Sequence, residues 1–245
     1  MKKLWKMLLV VLCFSLIFTL PVSAAKKKKV PKKTKTQQEI SNITKATNNF
    51  IKNVKNYNVN GIKKCFSKPG SVKLMSKRKL MAKYIRSKQK KLSATVANVT
   101  YTGGKTAKVT LNYHMFDGYD PLWYSLYYTY TWIELRAYDG KKTSSSAMDK
   151  HQYSELKSME QGIEDVFVPK WTDGTVSFTM KKVGKKWKIS SFTKQLDNFI
   201  NCNYQKAYKD WYNEDHRNDG CYEYDPDNYD GYYEFIENYF GYYDY

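Results

Sequence analysis

Residues 92–117, LSATVANVTYTGGKTAKVTLNYHMFD, decide the fold. Leu92 to Tyr101 alternates between apolar and polar positions, Gly103 and Gly104 supply a tight turn, and Ala107, Val109, Leu111, Tyr113 and Met115 then fall on every second position. A period of two sends successive side chains to opposite faces of a strand. Two such runs joined by a glycine pair make an antiparallel hairpin with one apolar face. That face must be covered, and the flanking sequence offers helices to cover it.

Upstream, residues 37–57 carry Ile40, Ile43, Ala46, Phe50, Ile51, Val54 and Tyr57 at three-and-four spacing, the mark of an amphipathic helix. Asn58 breaks it, a short helix is expected over 59–66, and Lys68-Pro69-Gly70 stops the chain. A third helix is expected over 72–91, with Leu74, Met75, Met81, Tyr84 and Ile85 inward. Downstream, Asp117 to Pro121 reads as a turn, and the threonine- and aromatic-rich run 122–138 as a long strand. A helix over 146–166, strands over 175–182 and 187–192 around the Gly184 turn, and a closing helix over 196–212 complete the pattern. The class is α+β: N-terminal helices packed on a curved antiparallel sheet, a half-cone.

Two stretches carry a resemblance. Residues 46–57, ATNNFIKNVKNY, resemble the opening helix of the nuclear transport factor 2-like superfamily, whose members include ketosteroid-isomerase-like and SnoaL-like domains. Residues 176–189, VSFTMKKVGKKWKI, are similar to its last hairpin, and within the superfamily the chain looks like small exported bacterial domains. The resemblance spans about residues 37–200 and implies a cone-shaped fold. It implies no single activity, because one fold hosts enzymes, carriers and structural modules alike.

The ends are unlike the middle. Lys2, Lys3 and Lys6 precede an apolar run from Met7 to Leu20, and Pro21-Val22-Ser23-Ala24-Ala25 has the small-residue pattern of a cleavage site. Residues 1–25 therefore read as an export signal of bacterial style, with an uncleaved anchor as the alternative. Lys26 to Lys29 directly after the site oppose translocation. Residues 26–36 form a lysine-rich linker with nothing to bury, and their composition predicts disorder. The domain is expected over 37–212, followed by an acidic, tyrosine-rich tail over 213–245. The chain carries a net charge of +19, and +16 once Lys2, Lys3 and Lys6 leave with the signal. From Lys26 to Phe116, 24 lysines and arginines face the single acid Glu39, whereas from Asp210 to Tyr245 eleven acids face only Arg217. One end is suited to masking the other.

Several residues are candidates for function. Lys63, Lys64, Lys77, Arg78, Lys79, Lys83 and Arg86 lie on or near two helices, and such unrelieved positive charge concentrates polyanions with a steep salt dependence. Outside a bacterial cell those are wall teichoic acids or anionic membrane surfaces. Export and the lack of a recognisable nucleic-acid fold argue against specific nucleic acid. On the expected strand, Tyr124, Tyr128, Tyr130, Trp132 and Glu134 share one side, where they line a pocket or simply fill an aromatic core. Cys202 and Cys221 form a disulfide in an oxidising compartment or remain reduced thiols; Cys65 reads as a small core residue. His114 alternates with core-facing Tyr113 and Met115 and should face solvent. Asp225, Asp227, Asp230, Gly231 and Glu234 faintly resemble a calcium loop out of register. No cysteine or histidine spacing suggests a metal, no cofactor motif occurs, and no serine or cysteine stands in a nucleophile motif. The reading is of a secreted, non-enzymatic protein retained near the envelope by its basic face. The other two classes are a small-molecule carrier or enzyme using a cone pocket, and a calcium-stabilised interaction module.

Overall fold

The computed structural model describes residues 34–75, 78–161 and 170–215. Helix α1 (Lys35–Lys55) is followed by α2 (Val59–Cys65), a single 3₁₀ turn (Pro69–Ser71) and α3 (Lys79–Gln89). The hairpin β1 (Ser93–Thr100) and β2 (Thr106–Asp117) leads to α4 (Tyr119–Tyr138) and α5 (Ser145–Glu160). Strands β3 (Lys170–Val183) and β4 (Lys186–Ile189) precede α6 (Lys194–Asn201) and α7 (Tyr204–Asp215). The four strands form one open antiparallel sheet in the order β1-β2-β3-β4. The class expected from the sequence, α+β with helices against an antiparallel sheet, is what the chain adopts.

The hairpin behaves as its alternation dictates. Ala107, Val109 and Leu111 are buried and sit opposite Met180, Phe178 and Val176 of β3. A one-residue bulge between Val96 and Asn98 shifts the β1 register, as an extra residue on one strand must. Helix α1 lays Ile43, Thr47, Phe50, Ile51 and Val54 into the core. The Phe50 ring meets Phe66, Phe178 and Phe199 at 5.8–6.3 Å between centroids, tying α1 to the sheet and to α6. Helices α1, α3 and α6 contact the strands, whereas α4 packs between α5 and α7.

Four expectations need correction. The run 122–138 is not a strand but the body of α4. Asp120 and Pro121 occupy its first turn, where an acid favours the helix dipole and proline needs no hydrogen-bond partner. Its buried positions, Leu122, Ser125, Leu126, Thr129, Tyr130 and Ile133, repeat at helical spacing. Gly118 permits the sharp entry, because a Cβ there would lie 2.6 Å from the Cys202 carbonyl oxygen. The third helix begins only at Lys79; Val72, Leu74 and Met75 are buried without being helical. The expected closing helix is two, split where Cys202 and Asn203 take left-handed φ values of 52° and 65°. Finally, β3 begins at Lys170, ahead of its expected start, and α5 is described only as far as residue 161.

Candidate anion-binding site

Three groups of basic side chains separate in space. Along α3, Lys79, Lys83 and Arg86, with Lys90 just past its end, are all exposed. Their spacing of four, three and four puts them on one stripe of a helix. Lys83 lies 5.6 Å from the Tyr153 ring centroid, and no carboxylate pairs with any of the four among the described residues.

Arg78 belongs elsewhere. The sequence groups it with these surface cations, but its side chain has no exposed area at all. The guanidinium donates to the Tyr204 hydroxyl and to Gln152 Oε1, lies 5.4 Å from the Tyr204 ring centroid, and stands 4.0 Å from Asp149. Asp149 in turn accepts from the backbone N–H groups of Leu80 (2.8 Å) and Met81 (3.3 Å), filling the N-terminal vacancy of α3. Gln152 donates to Ser125 Oγ at 2.9 Å, and Ser125 donates to the Leu122 carbonyl. Arg78 is thus the centre of a buried polar network that fastens α3 and α7 to α4 and α5. Lys88 is also diverted: it pairs with Glu160 and lies over the Tyr84 and Phe116 rings. Burial alone would raise the Glu160 carboxyl, but Lys88 and Lys157 outweigh it and hold it below the usual range.

The third group surrounds a cleft of about 460 Å³ between α1, the end of α2 and the β3–β4 hairpin. Lys45, Lys64, Lys185, Lys186 and Lys188 line it, with the fully buried Phe50, Met180 and Ile189 behind them. None of the five lysines meets a carboxylate among the described residues. The nearby Lys182 does: Glu39 accepts from it at 2.5 Å and from the Trp187 indole N–H at 2.7 Å. Those two bonds hold the Glu39 carboxyl below the usual range and pin Trp187, a wall of the cleft, to α1. Cys65 also lines the cleft; burial raises its thiol. A smaller groove on the opposite flank of α1 carries Lys52, Lys55 and Lys90. Lys63 is half-buried on α2, and Lys77 lies outside the described residues.

The proposed aromatic pocket does not assemble. On a helix its five members point in several directions: Tyr124 and Glu134 outward, Tyr130 into the core, Tyr128 and Trp132 between. Sequence reasoning missed a partly exposed row on α4 instead, where half-buried Trp123 stacks on exposed Tyr127 and exposed Tyr124 on half-buried Tyr128. His114 is exposed, as its alternation required; its ring lies 2.9 Å from Asp173 and stacks on Trp171. Cys202 carries a free thiol, buried and pushed up to about 12. Cys221 and the calcium-loop residues lie outside the described residues, as do the expected leader and most of the expected linker. Among the described residues there is no group of acids, histidines and cysteines fit to hold a metal, and no helix is long and apolar enough to cross a membrane. Comparison with known proteins finds no family model, curated protein or solved structure that matches the chain.

Proposed function

We propose that the protein is an exported, non-catalytic module held at the cell envelope, where its basic helices bind anionic polymers or anionic membrane surfaces. The observation that carries this reading is the α3 stripe, in which Lys79, Lys83, Arg86 and Lys90 are exposed in line and unpaired with acid. Unpaired cations on a rigid helix displace the counterions condensed on a polyanion, and that release drives association. We read the helices against the antiparallel sheet as the cone-shaped fold of the nuclear transport factor 2-like superfamily. The packing of Phe50 on Phe178 and of Thr47 on Met180 supports it, since these residues belong to the two stretches that carry the resemblance.

The test is a titration of the protein against purified cell walls, with and without their teichoic acid, over a salt series. Binding should require the polymer and fall steeply with salt. The variant Lys79→Gln/Lys83→Gln/Arg86→Gln should lower the slope of log K against log salt by about 2–3, somewhat under one for each phosphate no longer neutralised. Binding that is indifferent to salt or to these three residues would overturn the reading.

A further inference from the structure

Five large hydrophobic side chains are exposed among the described residues: Val183 on β3, and Tyr124, Tyr127, Leu135 and Tyr138, all on α4. With Thr131, the four on α4 recur at steps of three and four residues, which draws a seam along one side of the helix. Leu135 and Tyr138 are 64% and 92% exposed, so the seam is widest open at its C-terminal end. A contiguous apolar stripe of this kind marks a contact surface.

A matching face is written in the same chain. Residues 232–240, YYEFIENYF, place Tyr232, Phe235, Ile236, Tyr239 and Phe240 at the spacing of one helix face, with Asp230 before them as a cap and Gly241 after them as a stop. A segment this short is marginal as a helix alone in water, so its apolar face calls for a partner. The chain leaves the described residues from α7, which lies against α4: Trp211 meets Tyr130 at 5.7 Å between ring centroids, and Tyr119 donates to Asp210 at 2.9 Å. The link 216–231 reaches about 50 Å when extended, more than the roughly 30 Å length of α4. Charge favours this partner over a second copy. Residues 216–245 hold eight acids against Arg217, whereas two whole chains, each at +19, repel one another. The neighbouring α7 also exposes Lys206 and Lys209.

We propose that residues 232–240 dock as a helix on the exposed seam of α4 in the same molecule. The tether makes the event intramolecular, at an effective concentration of about millimolar, so even a weak contact is largely occupied. The contact does not depend on what the α3 stripe binds.

Hydrogen exchange of the full chain, read by mass spectrometry, tests it. Amides of residues 232–240 should exchange about tenfold or more slowly than in a free peptide of that sequence, at every protein concentration. Leu135→Glu/Tyr138→Glu, at two exposed positions, should abolish that protection while exchange in β2 and β3 stays unchanged. Ile236→Glu/Phe240→Glu should abolish it too, and should raise hydroxyl-radical labelling of Tyr127, Leu135 and Tyr138. Val183→Glu, the same change at the exposed hydrophobe outside α4, should leave the protection in place. Peptide-like exchange in the unaltered chain, or protection that survives the α4 variant, would overturn the proposal. Protection lost on dilution would overturn it as well, by assigning the seam to a second copy.

Discussion

Replacing Arg78 with methionine separates core from surface among the basic residues on and just before α3. Methionine keeps an unbranched stem and removes the charge with every donor. The guanidinium it replaces has no exposed area and serves Gln152, Tyr204 and, across 4.0 Å, Asp149. A buried polar group left short of a partner costs about 1–3 kcal/mol, and breaking a buried ion pair from one side costs about 3–5 kcal/mol. Two features pull the sum toward the lower end. The separation from Asp149 is long, and Asp149 keeps the Leu80 and Met81 amides at the start of α3. A loss of about 3 kcal/mol is therefore expected. With a urea m-value of about 1–3 kcal/mol/M, the unfolding midpoint followed by circular dichroism should fall by roughly 1–3 M at unchanged m. Polymer affinity of the folded fraction should not change. An unmoved midpoint combined with weakened polymer binding would return Arg78 to the surface and refute the argument.

Glu39→Gln should flatten the acid limb of the stability curve. Its carboxyl is held below the ordinary 4.5 by Lys182 and then Trp187, so its contribution is full above that value and lost as pH falls through the lower native one; an unaltered limb would count against the contact. His151, stacked 4.2 Å from Trp132, has its pKa lowered from 6.5 by burial despite Glu155 at 3.6 Å. Stability should be full above about 6.5 and decline as pH falls through the lower native value; His151→Phe, which keeps the stack, should remove that decline, and its persistence would reject the assignment. Truncation after Asp215 removes eight acids yet spares buried Trp211 and Tyr212, so polyanion affinity at low salt should rise; an unchanged affinity would dismiss a masking role for the tail.

The hairpin was legible because its signal is local: alternation and a glycine turn fix face and register together. The run 122–138 misled for a physical reason. Its tyrosines, threonines and tryptophans favour strands when they fit a pleated surface. Here Thr129 and Thr131 instead return their hydroxyls to carbonyls four residues back, and the small Ser125 and Thr129 let neighbouring helices approach. The helical period was present in Leu122, Leu126, Tyr130 and Ile133, but aromatic residues also occupy the exposed face and hide the contrast. The break at Cys202 was hidden differently. Left-handed backbone is usually marked by glycine, and here a buried cysteine and an asparagine adopt it; Asn203 is held through Asp117 at 2.8 Å.

Helix phase and tertiary packing, not charge density, sort the lysines. In the sequence, residues 63–91 form one basic block, and nothing in its composition singles out Arg78. One position decides it. Arg78 immediately precedes α3, and its side chain turns inward beneath the helix start that Asp149 caps, while Lys79, one residue on, begins the outward stripe. The cleft was legible only in parts. Lys185, Lys186 and Lys188 stood out as a family-like hairpin, and Lys64 as a surface cation, but nothing along the chain ties them to Lys45. That link is made when Glu39 on α1 clamps Lys182 and Trp187, which brings the helix alongside the hairpin and sets both lysine sets around one cleft. A lone acid in a stretch of 24 cations reads as a stray charge; in the fold it neutralises one lysine of the hairpin and thereby determines which five remain available.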